Sequence, residues 1–425
     1  MLPNRVVSPG GGPVSPNDMT TEYAITRLGH QGDGVADGPV FAPRTLPGDV
    51  VTGTLNGSRL SDVRIVTPSK DRVRPACRHY KACGGCQLQH ASDGFVANWK
   101  TEFVKSALAA QGIETSWRPI SVSPPNSRRR ATIAARRTKK GAIAGFHGQA
   151  SGTISDISDC RLLDPDLVAA IPVAQGLAVV AASRKGELHV TLTKSLGGLD
   201  VSVTGGKPLD GPLQSALAQF AGSENVARLA WDGDVVAQRL PPEKRFGTAH
   251  VVPPPGAFLQ ATPQGESALV SAVQDAVGHA KRVADLFSGC GTFTLPLAVH
   301  AEIHAVEGDS AMIQALDRGW RMSQGMKLVT TETRDLFRRP LLADELARFD
   351  AAVLDPPRAG AEAQTAELAR SGVRQIAYVS CNPVTFARDA RVLCDAGYRL
   401  AWVQVVDQFR WSVHTELAAA FELAA

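Results

Sequence analysis

The segment Asp285-Leu286-Phe287-Ser288-Gly289-Cys290-Gly291-Thr292-Phe293 joins a short apolar run to a glycine loop. Around it, from about residue 265 to the C-terminus, helical periodicity alternates with short apolar runs. The predicted strands are 282–286, 302–306, 328–331, 351–354, 375–379 and 400–406, and the predicted helices are 265–278, 310–324, 364–371 and 383–396. This alternation is typical of an α/β fold with a mostly parallel, Rossmann-like sheet.

Polar or reactive residues lie at or just past the carboxyl ends of five predicted strands, namely Asp285, Glu307, Asp335, Asp355 and Cys381. Ligands bind such sheets outside the carboxyl ends of the strands. Gly289 and Gly291 would let a ligand approach the backbone at a helix start, and Glu307 is placed to accept bonds from both hydroxyls of a ribose. A dinucleotide site usually has a third glycine where this chain has Thr294. The pattern therefore favours an S-adenosylmethionine site.

The fourth and fifth strand ends carry Leu354-Asp355-Pro356-Pro357-Arg358 and Val379-Ser380-Cys381-Asn382-Pro383. The first differs at both ends from the Asn-Pro-Pro-aromatic loop of amino-group methyltransferases. Cys381, just before a predicted helix whose dipole would favour a thiolate, suits nucleophilic attack on C6 of a pyrimidine, which activates C5 for methylation. A base must then remove the C5 proton. Glu416 is the candidate, although its spacing alone favours a surface position on a strand.

Three cysteines form a compact motif, Cys77-x5-Cys83-x2-Cys86. A motif this tight can wrap a metal with a fourth, distant thiolate, and spacing alone leaves zinc and an iron–sulfur cluster open. Because the chain has 7 cysteines and no secretion signal, a disulfide framework is not expected.

Charge is distributed unevenly along the 425 residues. Residues 1–150 contain 20 Lys and Arg against 10 Asp and Glu, whereas the remainder contains 25 against 31. Seven cations without an acid lie between 128 and 140 and include Arg128, Arg130, Arg136 and Arg137. We interpret them as an RNA phosphate-tracking face, the alternative being a solvated edge strand.

The length predicts two or three domains. Residues 1–20, rich in Pro and Gly, are interpreted as a disordered lead-in, and the short strands within 21–75 predict a small, oligonucleotide-binding type of β-barrel. Residues 117–240 look β-like, interrupted by one helix at 212–220. Neither a membrane span nor a signal peptide is expected, so we predict a cytoplasmic location.

Taken in order, the glycine loop, Asp-Pro-Pro-Arg, Ser-Cys-Asn-Pro and the terminal His414-Thr415-Glu416 resemble the RNA uracil-C5 methyltransferase family. The segment 77–90 resembles the iron–sulfur segment of its 23S ribosomal RNA branch, and 21–75 resembles its TRAM barrel. Gly145-Phe146, 154–157 and Asp159-Cys160 resemble its central domain. The chain departs from the family at Ser288, where many members have Cys, and at Ser127, where an aromatic residue is usual.

The resemblance implies specific roles. Cys381 would be the nucleophile, Glu416 the base, and Asp355 would orient the uracil. S-adenosylmethionine would be bound by Gln260, Phe287, Gly289, Thr292, Glu307, Asp335 and Asp355. A [4Fe-4S] cluster would be ligated by Cys77, Cys83, Cys86 and Cys160.

The sequence therefore predicts three parts after the lead-in: a barrel at 21–75, a β-rich iron–sulfur domain at 76–245 and a methyltransferase domain at 246–425. The resemblance also implies that segment 92–115 packs on the methyltransferase domain. The expected activity is methylation of uridine C5 in RNA by a monomer, with 23S ribosomal RNA favoured. The alternatives are the same chemistry on transfer RNA, or a non-catalytic RNA-binding or chaperone protein.

Overall fold

The structure is a computed structural model that describes residues 21–149, 151–183 and 186–424. These residues divide into two compact units, 21–75 with 87–95, and 76–86 with 96–424. The predicted lead-in at 1–20 lies outside the described residues. Within them, no helix combines the length and apolar character needed to cross a membrane.

The first unit contains a closed five-stranded barrel of order β1-β2-β3-β5-β4. Its strands are β1 (Tyr23–Leu28), β2 (Gly34–Ala36), β3 (Val40–Ala42), β4 (Val50–Asn56) and β5 (Arg59–Thr67). A small apolar core that includes Ile25, Val51 and Leu60 fills it. The predicted barrel is confirmed, although β2, only three residues long between Gly and Asp breaks, was not predicted.

Asp49 connects the barrel to the chain that follows it. Its fully buried carboxylate accepts hydrogen bonds from the backbone N–H of Leu46 and of Ser69, both at 2.7 Å, and from the Arg72 guanidinium. Burial alone would raise the pKa of Asp49, but these donors together lower it. The carboxylate is thereby held ionised.

In the second unit, a seven-stranded sheet has the order β10-β9-β8-β11-β12-β13-β14. The elements before and within it are α1 (Asp93–Ala109), β6 (Ser116–Trp117), β7 (Ser121–Val122), β8 (Arg130–Thr138), β9 (Gly141–His147), β10 (Ile154–Asp156), α2 (Pro165–Ala169), α3 (Ile171–Ala181), β11 (Glu187–Ser195), β12 (Gly198–Thr204), α4 (Gly211–Ser223), β13 (Arg228–Trp231) and β14 (Asp234–Gln238). Helix α3 buries six of its residues against this sheet. Because it is apolar almost all round, it lacks the polar face by which a helix is recognised, and it was missed.

A nine-stranded sheet forms the C-terminal part, with the path β19-β18-β17-β20-β21-β23-β22-β6, while β7 also pairs with β22. A separate two-stranded hairpin, β15 (Lys244–Phe246) and β16 (Ala249–Val251), precedes most of it in the chain. The other elements of this part are α5 (Pro263–Val277), β17 (Arg282–Leu286), α6 (Thr294–Leu297), β18 (Glu302–Glu307), α7 (Ser310–Arg321), β19 (Val329–Thr333), α8 (Ala343–Leu346), β20 (Ala351–Leu354), α9 (Glu362–Ser371), β21 (Gln375–Ser380), α10 (Pro383–Asp395), β22 (Tyr398–Asp407) and β23 (Glu416–Leu423). The Rossmann-like sheet is confirmed.

Two apolar clusters cover the two faces of this sheet. Successive residues of one strand alternate between them: Leu286 and Leu354 belong to one cluster, Val283 and Val353 to the other. Val104 and Leu108 of α1 pack in the first cluster. Burial of both faces explains why these strands are short, continuous apolar runs in the sequence.

Candidate active site

Strand direction brings Cys381 and Glu416 to one edge of the sheet. β17, β18, β20 and β21 are parallel, so their carboxyl ends share that edge. β23 runs antiparallel to β21, with Leu417 opposite Ser380. Glu416, the first residue of β23, therefore lies beside the end of β21, and it is 4% exposed. The surface position that its spacing favoured is wrong.

Cys381 is half-buried directly after β21. The next residue, Asn382, caps α10 by accepting from the Val384 N–H at 3.1 Å and donates to the Arg358 carbonyl at 2.9 Å. Burial raises the pKa of the Cys381 thiol to about 11, and the carboxyl groups of Glu416 and Asp355 contribute in the same direction. These effects outweigh the positive charge of Arg358, which lowers the pKa, so the thiol is protonated in the free protein.

A hydrogen-bonded network connects Gln260, Asp355, Gln408 and Glu416. Gln260 Nε2 donates to Asp355 Oδ2 at 3.2 Å, and Gln408 Nε2 donates to Gln260 Oε1 at 2.6 Å and to Glu416 Oε2 at 3.1 Å. Burial raises the pKa of both Asp355 and Glu416. The negative charge of Asp285 raises the pKa of Asp355 further, and the negative charge of Asp355 raises the pKa of Glu416. The site therefore holds carboxyl groups that exchange protons near neutral pH.

The glycine loop leaves room for a ligand at the end of β17. Phe287 has φ 65°, an uncommon conformation for a residue with a side chain, and Gly289 has φ 55°. A Cβ added at Gly289 would meet no atom within 4 Å, so open space lies there. Burial raises the pKa of Asp285, which accepts from the Thr294 hydroxyl, to about 7.

The other predicted ligand-binding residues surround this loop. Glu307 accepts from the Gly289 N–H at 3.0 Å and from the Asp309 N–H at 2.9 Å. Thr292 is half-buried, whereas Asp335 is exposed. The ring of Phe337 lies 5.4 Å from that of Phe287 and is 49% exposed, which makes it an apolar surface that the sequence did not suggest.

Cys77, Cys83, Cys86 and Cys160 are all half-buried. Burial raises the pKa of Cys83, and its thiol also interacts electrostatically with Cys160 and Cys77. Arg128 interacts electrostatically with Cys86 and Cys160. Across residues 21–149, 151–183 and 186–424, however, no three His, Cys, Asp or Glu side chains form a group that could hold a metal ion.

The predicted RNA-binding arginines occupy different environments. Arg128 Nε donates to the Arg130 carbonyl at 3.1 Å and Arg130 Nη2 to the Gly256 carbonyl at 2.9 Å. Arg136 pairs with Glu187 at 2.6 Å, whereas Arg137 is exposed. The structure therefore does not bring all four to one open face.

Gln408 and the pair of Arg358 and His414 were not predicted. Arg358 Nη2 lies 2.6 Å from His414 Nδ1. The His-Thr-Glu motif was a signal for His414, but nothing in the sequence around Gln408 distinguishes it from an ordinary strand-end amide.

Comparison with known proteins gives consistent matches. The family model described as tRNA (Uracil-5-)-methyltransferase matches residues 218–422. An uncharacterized RNA methyltransferase of Rhizobium meliloti is 45% identical over 412 residues, which cover 95% of this chain and 99% of that protein. The 23S rRNA (uracil(1939)-C(5))-methyltransferase RlmD of Shewanella piezotolerans is 32% identical over 426 residues, which cover 94% and 95% respectively.

The crystal structure of Pyrococcus abyssi tRNA (uracil-54, C5)-methyltransferase in complex with S-adenosyl-L-homocysteine has the same fold. The TM-score is 0.73 at 23% identity, with 94% of this chain and 99% of that chain covered. Since the sequence relatives extend over nearly the whole chain at 32–45% identity, the chain belongs to the RNA uracil-5-methyltransferase family.

Proposed function

We propose that the protein transfers a methyl group from S-adenosylmethionine to C5 of a specific uridine in RNA, with Cys381 as the covalent nucleophile. The observation that carries this proposal is the position of Cys381 at one sheet edge with Glu416 and Asp355. The carboxyl groups of both residues raise the pKa of the thiol. A buried thiol in a core has no need of such neighbours.

The reaction begins when the Sγ proton leaves and Sγ bonds to C6 of the uracil. Asp355, whose pKa burial raises, is a base of suitable strength for that proton and leaves Glu416 free for the last step. Addition at C6 makes C5 an enolate-like carbon nucleophile. S-adenosylmethionine supplies the methyl group as a sulfonium, which becomes a neutral thioether when the methyl bonds to C5.

Glu416 then removes the proton from C5, and the electrons of that C–H bond expel Cys381 from C6 as a thiolate. The pKa of Glu416 is raised by burial and by Asp355, which makes its carboxylate a stronger base than an exposed glutamate. Gln260 and Asp355 share a 3.2 Å hydrogen bond and orient the uracil. Phe287, Gly289, Thr292, Glu307 and Asp335 line the proposed S-adenosylmethionine site.

Ribosomal RNA is the proposed target, because a relative that is 32% identical over 94% of this chain is named as a 23S rRNA methyltransferase. The matching family and the Pyrococcus protein are both named as transfer RNA methyltransferases, which favours transfer RNA instead. We expect 5-methyluridine at one or more positions of 23S ribosomal RNA to disappear in cells without the gene and to return with the wild-type gene. Loss confined to transfer RNA would reverse the assignment of the target.

We further propose that Cys77, Cys83, Cys86 and Cys160 hold a [4Fe-4S] cluster. The support is the electrostatic interaction among Cys77, Cys83 and Cys160, the interaction of Arg128 with both Cys86 and Cys160, and the tight packing of the loop between Cys83 and Cys86. A Cβ at Gly84 would fall 2.7 Å from the His147 carbonyl oxygen. The four thiolates that ligate a [4Fe-4S] cluster lie farther apart than four thiolates bound to a single zinc ion, where each Zn–S bond is about 2.3 Å. In this part of the chain the cluster would be structural or would contact RNA.

Iron analysis tests this assignment. Anaerobically purified protein should contain iron and absorb visible light, and Cys160→Ser should lose both, whereas Cys394→Ser should retain both. A colourless wild-type protein that contains zinc would contradict the assignment.

The barrel at 21–75 is proposed to be a TRAM domain that binds RNA, and of the four predicted arginines the exposed Arg137 is proposed as an RNA contact. Its closed five-stranded form agrees with that proposal.

A further inference from the structure

Gln408 follows β22 directly and is 1% exposed. Its Oε1 accepts from the Ala261 N–H at 2.7 Å. Its Nε2 donates to Oε1 of Gln260 at 2.6 Å and to Oε2 of Glu416 at 3.1 Å. One buried amide therefore holds both the proposed base and the side chain that contacts Asp355.

The backbone sets the direction of these hydrogen bonds. Because the Ala261 N–H can only donate, the carbonyl of Gln408 must face it, and the amide nitrogen must face Gln260 and Glu416. Gln260 consequently accepts at its carbonyl and donates from its nitrogen to Asp355. Rotating the Gln408 amide by half a turn would place its NH2 group against the N–H of Ala261, so that two donors would face each other.

The surroundings of Gln408 restrict its movement. A Cβ added at Gly265 of α5 would fall 2.5 Å from the Gln408 Cβ, so this helix packs closely on the side chain. The preceding residue, Asp407, accepts from buried Lys100 at 2.6 Å, which fixes the backbone.

We propose that Gln408 is a positioning residue for removal of the C5 proton, an inference that rests on the proposed function. By donating to Oε2 of Glu416 it fixes the plane of the carboxylate and leaves Oε1 to receive the proton from C5. Burial raises the pKa of Glu416, and donation from Gln408 opposes that effect by favouring the ionised form.

The test compares Gln408→Met, which has nearly the same volume and no donors, with Gln404→Met. Gln404 lies on the same strand and donates to the Pro119 carbonyl at 3.1 Å, outside the network. Because a general base contributes about 10²–10⁴-fold, we expect Gln408→Met to lower kcat by roughly 10- to 100-fold. The KM values for RNA and for S-adenosylmethionine should stay within about twofold.

Trapping experiments identify the affected step. With ordinary uridine RNA, Gln408→Met should accumulate a denaturation-resistant protein–RNA adduct, because the methylated adduct cannot break down until its C5 proton is removed. With 5-fluorouridine RNA, which has no C5 proton to lose, it should form as much adduct as the wild type. Gln408→Glu keeps an acceptor for Ala261 but lacks the amide donors, and should behave like Gln408→Met.

Three results would overturn the inference: an unchanged kcat in Gln408→Met, wild-type kcat in Gln408→Glu, or failure of Gln408→Met to trap 5-fluorouridine RNA. If the wild type methylates RNA but forms no adduct with 5-fluorouridine RNA, the proposed function itself fails. The two failures are thus distinguishable.

Discussion

At the scale of single residues, Asp285 shows how burial controls ionisation in the cofactor loop. Its side chain is fully buried, Oδ2 accepts from Thr294, and Oδ1 has no hydrogen-bond partner among the described residues. Burial is the main cause that raises its pKa to about 7, and the charge of Glu307 adds to it. Between about pH 4 and pH 7, the folded protein therefore keeps a proton on Asp285 that the unfolded chain has released.

This difference makes stability depend on pH. Since the folded pKa lies above the ordinary value of 3.8, the contribution of Asp285 to stability falls as pH rises from about 4 to about 7. We expect Asp285→Asn to remove this loss. The free energy of unfolding of the variant, taken relative to that of the wild type, should be higher at pH 8 than at pH 4 by at most about 4 kcal/mol. Urea denaturation at the two pH values measures the difference.

Asp317→Asn is the matched control, because Asp317 pairs with Arg321 on the surface of α7. Its effect should be small and nearly the same at both pH values. An Asp285→Asn effect that is equally independent of pH would show that Asp285 is ionised in the folded protein.

At the scale of helices and strands, the apolar strands of the C-terminal sheet were predictable. β17 and β20 have the predicted bounds, because strands buried on both faces are short apolar runs between polar breaks. Helix α3 was missed because it is apolar on nearly every side and so lacks a polar face.

The site was predictable only where motifs mark it. Cys381, Asp355 and the glycine loop lie in recognisable segments, and the burial of Glu416 follows from the antiparallel direction of β23. Gln408 could not be found from the sequence, because its role depends on contacts with residues 260 and 261, which are distant in the chain.

One buried ion pair connects α1 to the end of β22. Lys100 Nζ donates to Asp407 Oδ1 at 2.6 Å, and the two side chains are 0% and 3% exposed. We expect Lys100→Met to destabilise the protein by about 3–5 kcal/mol, because it leaves the Asp407 carboxylate buried without its partner. Urea denaturation measures this loss.

Lys105→Met on the same helix provides the control. Its pair with Glu102 is exposed, so the loss should be about 0–1 kcal/mol. The double substitution Lys100→Met, Asp407→Asn should recover part of the stability lost in Lys100→Met. Equal effects of Lys100→Met and Lys105→Met would contradict a structural role for the buried pair.

At the scale of the whole molecule, the excess of positive charge in residues 1–150 predicts RNA affinity that falls steeply with salt. Of the predicted contacts, Arg137 is exposed. Arg129, which was not among them, is 8% exposed and pairs with Glu266. Arg137→Ala should reduce the slope of log K against log salt by about 1, because one phosphate contact is lost. Arg129→Ala should instead lower the free energy of unfolding.

Binding titrations at several salt concentrations measure that slope. An unchanged slope for Arg137→Ala would remove this residue from the RNA interface. The identity of the RNA could not be predicted from charge, because phosphate contacts carry no sequence information.

The central claim is a temporary bond between Cys381 Sγ and C6 of the target uracil. The most direct measurement is mass spectrometry of the complex formed with S-adenosylmethionine and a 23S ribosomal RNA transcript that contains 5-fluorouridine. We predict a denaturation-resistant adduct in which a methylated fluoropyrimidine is attached to the peptide carrying Cys381, and no adduct with Cys381→Ala. Methylation of uridine RNA by Cys381→Ala at the wild-type rate would contradict the account.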